Sequence, residues 1–464
     1  MFHVKHSSPH VLLINPWITD FAAYNLWARP LGLLYIASLL RQDGFRITFI
    51  DCLDSYASKK KLADGKFSKI KIEKPRALKS IPRNYSQYGI SEAFFAERLR
   101  ALEEPDVVAV TSGMTYWYPG LFKTIQIVKN HFPKVPVILG GIYATLCPDH
   151  ARSHSGADYI VTGRGETEAL RLLNELTRSG NPPTLSTQIE GASDTLHHSV
   201  FQREFRSQSY NYFPYPCFDL YSQLDFACIS TSRGCPLRCT YCASFLLSER
   251  FSRRKPLDVI EEIEFWTRQY GIENIAFYDD ALLIEPRSHI VPILKEILKR
   301  SIRCNFHAPN GMHIREIDEE LANLLFQCKF KTIRLGFETS DEHGQIASGG
   351  KVNNIEFQRA VRNLRRAGYT QEEVGVYILA GLPGQRATEV QESISFVRKA
   401  GAQPILVEYS PIPRTPLFEK ARHLSLFDIE NEPLFHNNSI LPCQWEGFTA
   451  NDYRRIKSDL KENA

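Results

Sequence analysis

The chain has 464 residues, a formal net charge of +4 and an apolar content of 43%. This length indicates about two or three domains, with α/β barrels at the long end of the single-domain range. The composition excludes a fibrous or disordered protein. The N-terminus has no apolar core before a small-residue cleavage site, and the longest nearby apolar run is about half a membrane span. We therefore expect a cytoplasmic protein without a membrane span.

Basic residues are concentrated between Lys59 and Arg83, where ten Lys and Arg residues stand against Asp64 and Glu73. A charge run of this kind is usually a solvated surface insertion. A lid or a docking surface for an anionic partner remains open. The net charge of the whole chain is too small to indicate nucleic acid as a partner.

Short β-branched segments alternate with amphipathic helices along the chain, which is typical of parallel sheets built from βαβ units. In the first series, strands at 11–16 and 45–51 flank a helix between Pro30 and Gly44. With the segments that follow the basic insertion (about 55–90), this series has five strands and at least four helices. We expect an open, doubly wound parallel sheet over residues 10–180, with ligands at the carboxyl ends of its strands.

A second series of six βα units follows a connector at 181–224, which is rich in Pro, Ser and Tyr and should pack its aromatic residues. The six strands are expected at 226–233, 274–280, 304–311, 332–339, 374–380 and 405–410. This pattern predicts a barrel or partial barrel over 225–420, whose active site lies in the loops after the strands. A short C-terminal extension, 421–464, ends in a helix that should cover the barrel or the connector.

The first of these loops carries RGCPLRCTYC, in which Cys235, Cys239 and Cys242 have the spacing CxxxCxxC. Thiolates this close together bind a soft metal or an iron-sulfur cluster. A structural zinc site uses four ligands, usually from two pairs of cysteines, and the sequence has no second pair. A cubane cluster held by three cysteines keeps one iron open for chemistry, and a redox dithiol is the alternative. The other seven cysteines are scattered among apolar neighbours, so we expect reduced thiols rather than disulfides.

This motif, with Tyr241 before its last cysteine, resembles the signature of the radical S-adenosylmethionine (radical SAM) superfamily. The resemblance implies a partial (β/α)6 barrel and a 4Fe-4S cluster on Cys235, Cys239 and Cys242. It also implies that the open iron chelates the amino and carboxylate groups of SAM, which the reduced cluster splits into methionine and a 5'-deoxyadenosyl radical. That radical removes hydrogen from an unactivated carbon. An external one-electron reductant of the flavodoxin or ferredoxin type is implied as a partner.

The resemblance also assigns SAM contacts at two further strand ends. In FYDDALL, Asp280 stands at the acidic position of a Gly-Gly-Glu turn that contacts the SAM ammonium, and Asp279 replaces a glycine. Two adjacent carboxylates should either meet a cation or face solvent. In RLGFETS, Glu338 resembles the residue that approaches the ribose or methionine part of SAM, with Ser340 beside it. A helix N-cap made by Thr339 or Ser340 is the structural alternative.

The remaining barrel loops give weaker indications. Gly381 in VGVYILAGLPGQ is similar to the adenine-contacting region of the superfamily, although a simple turn explains it almost as well. Together with Tyr241, Asp280, Glu338 and Ser340, it completes the predicted SAM contacts. His307 lies at the end of the third strand and should face the barrel mouth, but a lone His is usually structural, so we assign it no catalytic role.

The N-terminal pattern INPW... RPLGLLYIASLLRQDGFRITFID... GG... VTGRGE resembles the flavodoxin-like cobalamin-binding domain that precedes the barrel in one radical SAM class. The resemblance implies a corrinoid at the carboxyl edge of the sheet, in loops that contain Ser112, Gly113, Gly140, Gly141, Gly163 and Gly165. Such loops also suit a phosphate or a flavin. The Asp-x-His-x-x-Gly motif that supplies a lower axial histidine is absent. Cobalamin would therefore bind without a protein ligand on its lower face, or the domain has lost the cofactor.

The sequence as a whole predicts a cobalamin-dependent radical SAM enzyme, most simply a C-methyltransferase acting on a small molecule or natural product. A cobalamin-free relative, such as an RNA-modifying methylthiotransferase, is an alternative, although the chain lacks the extra N-terminal cysteine triad and an RNA-binding module. A non-catalytic corrinoid or redox sensor is a further alternative, which the complete barrel and three-cysteine loop argue against. The residue pattern does not identify the substrate.

Overall fold

The computed structural model describes residues 8–54, 65, 67–178, 214–248 and 250–462. The chain divides into two compact units, Met1–Leu224 and Asp225–Ala464. Residues 181–213 of the predicted connector and residues 55–64 and 66 of the basic insertion lie outside the described residues.

The first unit combines a parallel sheet with surrounding helices. Its strands are β1 (His10–Asn15), β2 (Ile18–Asp20), β3 (Arg46–Asp51), β4 (Lys69–Ile72), β5 (Tyr85–Tyr88), β6 (Val107–Val110), β7 (Val137–Leu139) and β8 (Tyr159–Ile160). Its helices are α1 (Leu31–Gln42), α2 (Glu92–Arg100), α3 (Tyr118–His131), α4 (Ile142–Leu146), α5 (Pro148–His154) and α6 (Gly165–Arg178).

Five parallel strands form the main sheet of this unit, in the order β3-β1-β6-β7-β8. With its strands counted along the chain, this is the flavodoxin-like doubly wound order. Leu12, Val108 and Leu139, on three adjacent strands, are buried completely because helices cover the sheet. The predicted doubly wound sheet is therefore present, and the carboxyl ends of β1, β6 and β7 meet at one edge.

The described part of the basic insertion is folded. β2, β5 and β4 form a three-stranded antiparallel sheet. Tyr85 and Tyr88 of β5 are buried, and the Tyr85 hydroxyl donates to the Thr19 carbonyl at 2.9 Å. Part of the segment expected to be a solvated insertion thus has a small core, which carries Lys69 and Lys71 on its exposed strand.

The described end of the connector packs on the first unit through its aromatic residues. The Tyr221 hydroxyl donates to Asp51 at 2.6 Å, and the Arg29 guanidinium lies 4.0 Å from the centre of the Tyr221 ring. Phe218 is completely buried. The aromatic composition of the connector predicts this burial, and its described residues confirm it.

The second unit is a parallel α/β structure. Its strands are β9 (Ala227–Ile229), β10 (Ser232–Arg233), β11 (Ser252–Arg253), β12 (Asn274–Phe277), β13 (Asn305–His307), β14 (Phe330–Glu338), β15 (Val374–Ala380) and β16 (Gln403–Glu408). Its helices are α7 (Ser244–Leu247), α8 (Pro256–Gln269), α9 (Ile290–Lys299), α10 (Glu319–Gln327), α11 (Glu342–Ala347), α12 (Asn354–Ala367), α13 (Ala387–Lys399), α14 (Pro416–Leu424) and α15 (Ala450–Glu462).

Six strands of this unit pair in parallel in the order β9-β12-β13-β14-β15-β16. The order follows the chain, and helices stand between the strands, as the predicted partial (β/α)6 barrel requires. The C-terminal extension packs onto this barrel: Leu441 contacts Gly381, and the Arg398 guanidinium of α13 donates to the Leu460 carbonyl of α15 at 3.2 Å. Among the described residues, no helix has both the length and the apolar character needed to cross a bilayer.

A buried carboxylate determines where the first barrel strand ends. Asp279, just beyond β12, accepts hydrogen bonds from the backbone N–H and the hydroxyl of both Thr231 and Ser232. The strand expected over 226–233 is therefore interrupted after Ile229. Asp279 meets neither a cation nor solvent, which corrects that sequence expectation. Burial still raises the pKa of Asp279, to about 6.

Replacement of Asp279 by Ala should destabilise the second unit, because four buried donors lose their acceptor. We expect a loss of about 2–4 kcal/mol in the free energy of unfolding, measured by urea titration. The exposed neighbour offers a matched control: Asp280→Ala should cost less than about 1 kcal/mol. An equal loss of unfolding free energy in the two variants would contradict the role of Asp279 as the acceptor for the four buried donors.

Candidate active site

Cys235, Cys239 and Cys242 lie in the loop between β10 and α7, and all three side chains are half-buried. The short antiparallel pair β10–β11 closes the base of this loop. Within it, the Cys242 N–H donates to the Cys239 carbonyl at 3.1 Å. The loop therefore follows the first barrel strand, where the sequence places it.

Burial raises the pKa of two of the cysteine thiols, whereas hydrogen bonds from backbone amides lower it. Burial raises the pKa of Cys242 to about 11, although the Ser244 N–H donates to its Sγ at 3.4 Å. Burial also raises the pKa of Cys235, against the effect of the Leu237 amide. At neutral pH these groups are thiols, so thiolates form when a metal replaces their protons.

Two other barrel loops hold the cysteine loop in place through Thr240. The Thr240 N–H donates to the Ser348 carbonyl at 3.2 Å, and the Thr240 carbonyl accepts from the Leu417 N–H at 2.9 Å. A Cβ on Gly349 would lie 3.1 Å from the Cys239 Cα, so this close approach requires glycine. The cysteine loop is thus fixed to the segment that follows α11 and to the first turn of α14.

Glu338, Tyr241 and Lys351 form a mostly buried polar group next to this loop. The Tyr241 hydroxyl donates to Glu338 Oε1 at 3.0 Å, and Lys351 Nζ donates to the same oxygen. Glu338 ends β14 in the left-handed region with a φ of 71°, which costs about 1–2 kcal/mol. Burial and the charge of Glu338 together raise the pKa of Tyr241. The strained backbone turns the Glu338 carboxylate toward the cysteine loop, near the predicted SAM position.

Asp280 is exposed and lies beside the cysteine loop. Its carboxylate accepts a hydrogen bond from the Ser244 hydroxyl at 2.6 Å. Its negative charge contributes to the raised pKa of Cys235 and Cys242. The structure therefore brings Asp280, Tyr241 and Glu338 to the same loop as the three cysteines.

Ser340 and Gly381 are held by partners within the protein. The Ser340 N–H donates to the Ser393 hydroxyl at 2.9 Å, and the hydroxyls of these two residues are 3.1 Å apart. The N-cap of α11 is Asp341 rather than Thr339 or Ser340. The Gly381 N–H donates to Gln385 Oε1 at 2.9 Å, so this segment is a turn closed by Gln385. Whether Ser340 and Gly381 contact SAM stays a prediction.

Two histidines near the barrel strands have different surroundings. His307 Nε2 lies 3.2 Å from Asn274 Oδ1, at the start of β12, so its ring points away from the carboxyl edge. This corrects the expected orientation toward the barrel mouth. His313 Nε2 lies 3.9 Å from Cys235 Sγ, and burial lowers the pKa of His313 to about 4. No sequence motif includes His313, so its place beside Cys235 could not be predicted.

In the first unit, Ser112, Gly113, Gly140 and Gly141 come together at the carboxyl edge of the sheet. The Ser112 hydroxyl donates to the Gly140 carbonyl at 2.6 Å. A Cβ on Gly141, whose φ is 96°, would lie 2.5 Å from the Ser112 carbonyl oxygen, and one on Gly113 would meet the Trp117 ring at 2.9 Å. Gly113 and Gly141 therefore serve the packing of the protein itself.

Gly163 leaves open space beside the backbone at this edge, whereas a side chain on Gly140 would contact Val161. The atom nearest to an added Cβ lies at 3.6 Å for Gly140, and none lies within 4 Å for Gly163. Gly165 is the first residue of α6, near Ile36. Trp117, which no sequence motif includes, lines a small cavity of about 50 Å³ together with Ser112 and Trp17 of the INPW segment.

The residues present fit the cofactors that the fold implies. Cys235, Cys239 and Cys242 stand half-buried as free thiols in one loop, and a cubane takes one thiolate per iron. Amide N–H groups directed at cysteine sulfurs, as from Ser244, stabilise such clusters. At the edge of the first sheet, no atom lies within 4 Å of a Cβ added to Gly163, so the backbone there is open to a ligand.

Comparisons with known proteins match both units. The family model for the radical SAM superfamily matches residues 229–397, and the model for the B12 binding domain matches residues 85–173. An uncharacterized methyltransferase of Pyrococcus horikoshii is 24% identical over 75% of this chain and 73% of its own length. The cytidylyl-2-hydroxyethylphosphonate methyltransferase of Streptomyces wedmorensis is 22% identical over 94% of this chain and 87% of its own.

The fold is shared with a solved structure of the radical SAM methyltransferase TsrM from Kitasatospora setae, which has cobalamin and a 4Fe-4S cluster bound. It covers 90% of this chain and 76% of TsrM with a TM-score of 0.64, at 19% sequence identity. The fold class and the family predicted from the sequence are both confirmed. The chain belongs to the radical SAM superfamily, in the class whose barrel follows a B12-binding domain.

Proposed function

We propose that this protein methylates an unactivated carbon of a small molecule, with a 4Fe-4S cluster, SAM and cobalamin as cofactors. The observation that carries the proposal is the three-cysteine loop at the end of the first barrel strand, next to Glu338, Tyr241 and Asp280. Three thiolates leave one iron of a cubane without a protein ligand, and that iron can take SAM. Both relatives described above, and TsrM, are methyltransferases by name.

In this proposal each group of residues has a separate task. Cys235, Cys239 and Cys242 hold three irons, and Asp280 accepts a hydrogen bond from the SAM ammonium. When bound, the cluster and SAM supply a carbon-centred radical, and cobalamin supplies a methyl carrier. Glu338 and Tyr241 orient the ribose or methionine part of SAM from their shared hydrogen bond.

The first unit provides the corrinoid site at the carboxyl edge of its sheet. Gly140 and Gly163 let the macrocycle approach the backbone, while Ser112, Gly113 and Gly141 keep the edge rigid. Residues 16–30, which follow β1, contain no histidine, so this segment would supply no lower axial ligand to a corrinoid. The reductant of flavodoxin or ferredoxin type and the cytoplasmic location stay predictions from the sequence. The relatives favour neither the RNA-modifying nor the sensor alternative.

Replacement of Cys239 by Ala should abolish formation of 5'-deoxyadenosine, because one iron loses its thiolate. We expect the variant to produce no more of it than protein without added iron, measured by liquid chromatography after reduction with dithionite. Cys147→Ala, which removes a thiol outside the cysteine loop, should retain wild-type formation. Persistent 5'-deoxyadenosine in the Cys239 variant would show that the cluster ligands are wrongly assigned.

Gly140→Leu should weaken corrinoid binding by about tenfold or more, equivalent to about 1.4 kcal/mol, because its side chain enters the space beside the backbone. The measurement is the visible spectrum after incubation with hydroxocobalamin and desalting. Gly140→Ala serves as the matched control, since its Cβ makes only ordinary contacts. Wild-type protein should retain corrinoid in the base-off form. Failure of the wild type to retain it, with iron-sulfur absorption intact, would contradict the cobalamin role.

A further inference from the structure

Lys351 places a positive charge close to the cysteine loop. The Lys351 side chain is 16% exposed and the Glu338 side chain is 9% exposed, and the two form an ion pair. The ammonium also lies 5.7 Å from the centre of the Tyr241 ring. Burial alone would lower the pKa of Lys351, but the negative charge of Glu338, and that of Cys239 and Cys242 when they are ionised, raises it. Lys351 is therefore a cation at neutral pH.

The surroundings fix this cation relative to the cysteines. Lys351 directly follows Gly349 and Gly350, and the chain at Gly349 touches the Cys239 backbone. The preceding Ser348 carbonyl accepts from the Thr240 N–H at 3.2 Å. The backbone of the segment 348–351 is therefore attached to the cysteine loop, and the ion pair with Glu338 holds the Lys351 ammonium beside that loop.

Other charged groups around the loop are the carboxylates of Asp280 and Glu338 and the guanidinium of Arg238, which donates to the Cys235 carbonyl at 3.4 Å from an exposed position. The charge of Asp280 raises the pKa of Cys235 and Cys242, and the Glu338 carboxylate accepts a hydrogen bond from Lys351. The neighbouring His313 is neutral, since burial and the Lys351 and Arg315 charges lower its pKa to about 4. A cluster bound here by three thiolates carries negative charge, and its reduction adds one more. A fixed cation stabilises the reduced form more than the oxidised form.

We propose that Lys351 is a positioning residue that raises the reduction potential of the cluster, and that Glu338 moderates this effect by pairing with it. The inference rests on the proposed function, because it requires a cluster on Cys235, Cys239 and Cys242. It assigns Lys351 an electrostatic task that no motif of the sequence indicates. The task is separate from holding the loop, because the ammonium contacts Glu338 rather than the loop backbone.

The test compares variants that differ in one buried charge. Glu338→Gln leaves the Lys351 cation unopposed, so the midpoint potential of the cluster should rise above that of the wild type. In this background, Lys351→Met removes the cation without leaving a buried carboxylate, and the potential should fall below that of Glu338→Gln alone. Lys351→Arg in the same background keeps the charge and should keep the higher potential. The potentials are measured by redox titration followed by electron paramagnetic resonance.

Iron and sulfide content, measured for every variant, separates an electrostatic role from a structural one. A structural role predicts less cluster at an unchanged potential, and that result would overturn the inference. So would equal potentials for Glu338→Gln and the Glu338→Gln/Lys351→Met double variant, or no rise in Glu338→Gln alone. If the wild type assembles no four-iron cluster, the proposed function fails as well. If it assembles one and cleaves SAM while the potentials stay equal, only the role of Lys351 is refuted.

Discussion

The carboxyl ends of neighbouring parallel strands meet at one edge, and both candidate sites depend on this constraint. In the second unit it brings the cysteine loop after β9 and β10, Asp280 after β12 and Glu338 at the end of β14 into one group. In the first unit it collects the loops after β6 and β7 around Ser112. Residues far apart in the chain thus become neighbours through strand order alone.

The electrostatics of the cysteine loop and the binding of a metal are closely linked. Burial raises the pKa of Cys242 to about 11, so the protein alone keeps this thiol protonated. A cation must be present before the thiolate forms. The ion pair of Lys351 with Glu338 and the hydrogen bond from Tyr241 keep buried charge paired in the meantime. These contacts give the loop a defined shape before iron binds, and the thiolates form when iron replaces their protons.

Much of this organisation could be predicted from the sequence because it depends on local patterns. The strand expected at 374–380 is β15 with the same bounds, and the cysteine spacing indicated the cluster loop. Contacts between distant residues could not be predicted. Two adjacent carboxylates gave no sign that Asp279 binds Thr231 and Ser232. Lys351 pairs with Glu338, which follows a register shift in β14 after Gly336, and β4 and β5 are short strands in a polar, basic segment.

In the proposed function, three thiolates hold a cluster and leave one iron free for SAM. Mössbauer spectroscopy of the reconstituted, iron-labelled protein, recorded with and without SAM, tests it most directly. We predict that one iron site changes its isomer shift when SAM is added, while the three sites bound to Cys235, Cys239 and Cys242 do not. A spectrum of a single mononuclear iron, or a cluster in which SAM changes no iron site, would contradict the account.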